Sequence, residues 1–133
     1  MKLNVIVIDD SAVQLALSSK LIEKSPHLNL VGAYSNPFLG LSAVNSQAVD
    51  LVLLDVEMPE IDGFSLQKLF KDSVEVIINS TRSSFEIEAY SNGAIDFMAK
   101  PLSASRLDLA VTRVLELKRL LAFEAPAVNT HAS

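Results

Sequence analysis

The chain has no cysteine and no tryptophan, and only 6% of it is aromatic. Disulfides and thiolate-held metals are therefore excluded. The core has to be built mainly from Leu, Ile, Val and Ala. Positive charge is also short: 11 Lys and Arg stand against 16 Asp and Glu, a net charge of −5. That balance argues against direct nucleic-acid binding by this domain, which would need a basic patch. Long apolar runs are missing as well. The run after Lys2 is cut by Asp9 and Asp10, which argues against a signal peptide. No stretch approaches the roughly 20 apolar residues that span a bilayer. The simplest expectation is a soluble, cytoplasmic protein with no membrane partner.

What is present suits one domain. The length is 133 residues and half of them are hydrophobic, enough for a single core of ordinary size. The domain is expected over residues 1–122. The end, 123–133, is Ala-rich and carries Pro126, and it reads as a flexible tail or the start of a linker.

Short apolar runs alternate with helical segments. Leu3 to Ile8 is continuous and β-branched, as in a strand buried on both faces. Ser11 and Gln14 form a capping box that opens a helix to about Lys24, with Val13, Leu17 and Leu21 on one face. Leu28 to Val31 is a second strand, and Pro37 sits at the first position of a second helix. Asp50 to Leu54 is a third strand, followed by a loop with Pro59 and Gly63 and a short helix to about Phe70. Val74 to Ile78 is a fourth. Ser83 and Glu86 suggest another capping box before a helix that Gly93 ends. Ile95 to Ala99 is a fifth strand, and a long helix runs from about Ala104 to Ala122. A (βα) unit repeated in this way implies an α/β fold with a parallel sheet covered on both faces. Ligands in such folds bind beyond the carboxyl ends of the strands.

Those ends are where the polar residues fall. The first strand ends at Asp9 and Asp10, the third at Asp55, the fourth at Ser80 and Thr81, and the fifth at Lys100 and Pro101. Three converging carboxylates repel one another unless a cation or shared protons relieve them. Oxygen-only ligands favour a hard ion, Mg²⁺ or Mn²⁺, over zinc. One carboxylate can then act as a nucleophile and form an acyl phosphate. Lys100 and Ser80 would stabilise charge on the transferring group.

The segment from Asp55 to Gly63, DVEMPEIDG, resembles the D-x-x-M-P-x-x-D-G signature of the response-regulator receiver family, the CheY-like domains of two-component systems. Asp9-Asp10, Ser80 and Lys100-Pro101 match the rest of that pattern in order. The resemblance runs from about Leu3 to Leu121. It implies a flavodoxin-like doubly wound (βα)5 fold with strand order 2-1-3-4-5, an order for which this family is itself a standard example. It also implies a bacterial phosphorylation switch rather than an enzyme acting on a separate substrate. Asp55 would take the phosphoryl group from a sensor histidine kinase or phosphotransfer protein. Asp10 and Asp55 would hold Mg²⁺, with Asp9 binding it directly or through water, and the Glu57 backbone carbonyl would be a further ligand. Lys100 would contact the phosphoryl group, with a cis bond to Pro101 after it, and Ser80 would close on the phosphate. Phe97 would turn inward as the switch aromatic. The face of the fourth helix, fifth strand and fifth helix would carry the output.

Some residues depart from that pattern or exceed it. Thr81 stands where the family usually has Ala or Gly, and its side chain would narrow the approach to Asp55. Glu57 and Arg82 sit on opposite rims, where an exposed ion pair would gate the pocket. Leu109 and Leu120 fall outside the main stripe of the last helix, which suggests a dimer contact on that face or a lead into an output domain. Glu88-Ala89-Tyr90 and the short third helix resemble receivers linked to LytTR-type DNA-binding domains. Asp62-Gly63 reads as structural. A haloacid-dehalogenase-type phosphohydrolase would need D-x-D after the first strand, and a metal-dependent adhesion site is broken by Val13. A binding module that no longer phosphorylates would have lost an acid or Lys100.

Overall fold

A computed structural model describes residues 2–132, with side chains up to Phe123. Five strands alternate with five α-helices: β1 (Leu3–Ile8), α1 (Ala12–Lys24), β2 (Leu28–Tyr34), α2 (Pro37–Ser46), β3 (Leu51–Leu54), α3 (Gly63–Gln67), β4 (Glu75–Ser80), α4 (Glu86–Ser91), β5 (Asp96–Ala99) and α5 (Ala104–Ala132). A 3₁₀ turn, Ser83–Phe85, precedes α4. All neighbouring strands pair in parallel, in the order β2-β1-β3-β4-β5. The fold is the flavodoxin-like α/β arrangement expected.

Successive residues of a strand point to opposite faces, and both faces are buried here. Ile6, Ile8, Val52, Leu54 and Ile78 join Phe64 and Phe97 in one core. Val5, Val7, Leu53 and Ile77 join Ile22 of α1 with Leu107, Ala110, Val111 and Val114 of α5 in the other. That double burial is why the strands read as unbroken apolar runs. Only Gly93 among the glycines has positive φ, at 89°, which suits the end of α4.

Several local expectations are corrected. β2 continues to Tyr34, because Gly32, Ala33 and Tyr34 pair with Ile6, Val7 and Ile8; the ladder outweighs the low strand propensity of Gly32 and Ala33. On α1, Val13 is 75% exposed while Ser18 and Ile22 are buried, so the helix is rotated away from the expected stripe. Ser11 does accept from the Gln14 amide at 3.3 Å, but its own amide donates to Asp9, so the reciprocal half of that capping box is not formed. Ser83 makes no box with Glu86; it begins the 3₁₀ turn, and α4 starts without a side-chain cap. On α5 the buried face is Leu107, Ala110, Val111 and Val114, and Leu121 is 57% exposed. The backbone of α5 runs to Ala132; side chains from residue 124 onward, and with them most of the expected tail, lie outside the described set. Among the described residues no helix is long and apolar enough to cross a membrane.

Candidate phosphoryl site

The carboxyl ends of β1, β3 and β5 bring acids and a lysine to one point. Asp9, Asp10 and Asp55 each offer a carboxylate oxygen, all within 4.8 Å of one another. Lys100 Nζ lies 2.8 Å from Asp9 Oδ2 and 3.1 Å from Asp55 Oδ1. Asp9 and Asp55 are buried and Asp10 is exposed. The chain thus sets two buried carboxylates on one buried ammonium, with a third carboxylate at the mouth.

Backbone bonds fix these positions. The Asp55 amide donates to Ile8 O and the Asp9 amide to Tyr34 O, so both acids continue their ladders. The Lys100 amide donates to Ser80 O, and the bond to Pro101 is cis. After β3 the loop folds back, and the Gly63 amide closes it onto Val56 O at 2.8 Å. A Cβ at Gly63 would stand 2.2 Å from Asp55 O. The Asp62-Gly63 pair is structural as expected, since Asp62 Oδ1 caps α3 through the Ser65 amide. Gly63 also sets how closely the loop approaches Asp55.

Electrostatics single out Asp55. Burial, and next the charge of Asp9, push its carboxyl up to about 6 against the pull of Lys100. Burial alone would lower Lys100, but its hydrogen bond to Asp9 and the nearby Asp55 charge raise it instead. The folded Asp55 therefore holds its proton more tightly than the unfolded one. Stability from this group is present below pH 3.8 and is lost as pH rises to about 6. Asp55→Asn in metal-free buffer at pH 7 is expected to be more stable than wild type by about 1–3 kcal/mol. Urea denaturation with a chelator present measures this; an Asn variant less stable than wild type contradicts it.

The remaining residues named from sequence surround this cluster. Ser80 is buried, and its Oγ accepts from the Arg82 amide at 3.1 Å. Thr81 is exposed. Arg82 Nε lies 3.1 Å from Glu57 Oε1, both side chains about half exposed or more; such a pair is worth about 0–1 kcal/mol. Phe97 is buried against the core that includes Phe64, Ile78 and Ala89. The oxygen-only donor set fits a hard divalent cation, and the mutual repulsion that raises Asp55 is what such an ion would relieve.

One charged centre was missed from sequence. Asp96, at the start of β5, is completely buried. Its carboxylate accepts from both Arg106 nitrogens at 3.0 and 2.7 Å, from Arg113 Nη1 at 2.9 Å and from Tyr90 Oη at 3.1 Å. Burial would raise its pKa, but the Arg106 hydrogen bonds and the Phe97 amide lower it below the usual carboxylate range. The centre ties α4, β5 and α5 together one residue from Phe97.

Comparisons with known proteins agree on this architecture. The family model described as "Response regulator receiver domain" matches residues 5–112. A protein-glutamate methylesterase/protein-glutamine glutaminase from Geobacter sulfurreducens is 38% identical over 104 residues, which is 75% of this chain and 28% of that protein. The chain thus spans less than a third of the length of that relative. Among solved structures, a response regulator receiver domain protein from Clostridium thermocellum is 26% identical with a TM-score of 0.77, covering 90% of this chain and 98% of that one. The response regulator domain of Thermotoga maritima CheB is 26% identical with a TM-score of 0.71, covering 90% and 96%.

Proposed function

This chain belongs to the response regulator receiver domain family, and we propose that it is a phosphorylation switch whose phosphoacceptor is Asp55. The observation that carries the reading is the sharing of Lys100 Nζ by Asp9 and Asp55, with Asp10 beside them. In this reading Asp55 is the nucleophile: a carboxylate oxygen bonds to phosphorus as the donor's bond to the phosphoryl group breaks. Lys100 stays protonated and moves from the Asp55 carboxylate toward the incoming phosphoryl oxygens. Ser80 Oγ is the hydroxyl that donates to the same group. Asp9 and Asp10, with Asp55 and the Glu57 carbonyl, are the groups to hold Mg²⁺ or Mn²⁺. When bound, the ion neutralises charge between carboxylates and phosphoryl oxygens. Thr81, Glu57 and Arg82 border the approach and set how readily donor and water reach Asp55.

The donor class is a phosphohistidine of a kinase or phosphotransfer protein, and Phe97 with the α4–β5–α5 face carries the output. The hydrolytic activities in the relatives' names belong to much longer proteins and are not carried over to this chain.

Acetyl phosphate tests the reading directly. The intact mass is expected to rise by one phosphoryl group with Mg²⁺ and not without it. Asp55→Asn is expected to take up none. Full labelling of the Asn variant would overturn the assignment.

A further inference from the structure

A cavity of about 130 Å³ lies between the end of α1, with the loop after it, and the first turns of α5. Leu21, Pro26, Ala104 and Leu107 form its apolar wall, and Lys24, Ser25 and Asp108 its polar wall. None of them takes part in the phosphoryl site.

The charges here are opposite and unused. Lys24 and Asp108 are both exposed, and among the described residues neither enters an ion pair. Ser25 is only 8% exposed. Its Oγ accepts from the His27 amide at 3.4 Å, which leaves the hydroxyl proton to donate elsewhere. A buried donor of this kind calls for an acceptor. The cavity therefore offers an ammonium, a hydroxyl donor and a carboxylate around an apolar recess.

Each feature narrows the ligand. The volume is well below the roughly 300 Å³ at which ordinary cofactor pockets begin, so a nucleotide does not fit. A simple anion would suit Lys24 and Ser25 but meet Asp108 as a like charge. A simple amine would suit Asp108 but meet Lys24. An uncharged apolar molecule would leave all three polar groups unpaired. A free α-amino acid carries a carboxylate and an ammonium on one carbon, and a branched aliphatic side chain supplies the part that fills the recess.

We propose that this cavity binds a free aliphatic α-amino acid of the size of leucine. Its carboxylate lies on Lys24 and the Ser25 hydroxyl, its ammonium on Asp108, and its side chain against Leu21 and Leu107. Both ion pairs stay open to water and carry little weight each, so the expected Kd is on the order of 1 mM. The site does not depend on Asp55 accepting a phosphoryl group, which mass labelling reports separately.

Titration of the full chain with L-leucine, followed by amide NMR, tests this. Saturable shifts are expected at residues 21–27 and 104–108. Two truncated ligands separate the charges: 3-methylbutylamine lacks the carboxylate and 4-methylpentanoate lacks the ammonium. Each is expected to bind roughly 3- to 5-fold more weakly than L-leucine, the weight of one exposed ion pair. Lys24→Gln and Asp108→Asn are expected to weaken L-leucine by a similar factor. Both residues are exposed, so neither change threatens the fold. No saturable shift by tens of millimolar, or shifts confined to other parts of the chain, overturns the proposal. Equal binding of either truncated ligand, or undiminished binding by either charge variant, overturns it equally.

Discussion

Asp96→Ala is expected to destabilise the protein by about 3–5 kcal/mol, the range for breaking a buried ion pair from one side. The Asp96 side chain is fully buried, and that of Arg106 is only 30% exposed. Removing the carboxylate leaves Arg106 with Phe97 O as its remaining acceptor and removes the acceptor of the Tyr90 hydroxyl. Arg113→Ala should cost far less, about 1 kcal/mol or below, because that side chain is half exposed and Arg106 still satisfies the acid. The Asp96 pKa is lowered by its partners, so its contribution is present above the ordinary carboxylate range and fades as pH falls through the folded value. The gap between wild type and Asp96→Ala should accordingly shrink in acid. Urea midpoints at neutral and acid pH measure both effects. A loss under about 1 kcal/mol at neutral pH, typical of an ordinary surface change, would contradict the central position given to this group.

Gly63→Ala is expected to slow phosphoryl uptake at Asp55 by about 100-fold, the scale of a misplacement of about 1 Å in a reacting group. The added Cβ would lie 2.2 Å from Asp55 O and 3.0 Å from Val56 Cα. Both obstacles are backbone, so the loop or the end of β3 has to move. The change should leave the rest of the sheet in place, because Gly63 sits outside the strand ladders. Initial rates of mass gain with acetyl phosphate, alongside circular dichroism, separate a displaced site from a lost fold. An unchanged rate in a folded variant would mean that the loop yields without disturbing Asp55.

The sheet was legible in the sequence because its strands are buried on both faces and therefore appear as unbroken apolar runs closed by a polar residue. The same feature exposed the site: Asp9, Asp55, Ser80 and Lys100 each follow such a run, and parallel strands bring their ends together. Helix rotation was less legible. Val13, Leu17 and Leu21 form a plausible stripe, yet α1 buries Ser18 and exposes Val13. A serine gives no hydrophobic signal, so its burial is decided by packing alone.

Asp96 escaped notice for a related reason. Its partners Tyr90, Arg106 and Arg113 lie 6, 10 and 17 residues away, on helices whose facing sides the sequence does not reveal. The signal available was an acid placed inside an otherwise apolar strand, a position that demands buried partners. Gly63 was read correctly as structural from its place after Asp62. Its contact with the Asp55 carbonyl is a matter of loop closure, which no local pattern encodes.

If Asp55 is the phosphoacceptor, the phosphoryl group forms an acyl phosphate there and on no neighbouring acid. Borohydride reduces such a mixed anhydride to the alcohol, turning the labelled aspartate into homoserine. After treatment with acetyl phosphate and Mg²⁺, then borohydride, peptide mass spectrometry should find homoserine at position 55 alone. Homoserine at Asp9 or Asp10, or none in protein shown to be labelled, would contradict the assignment.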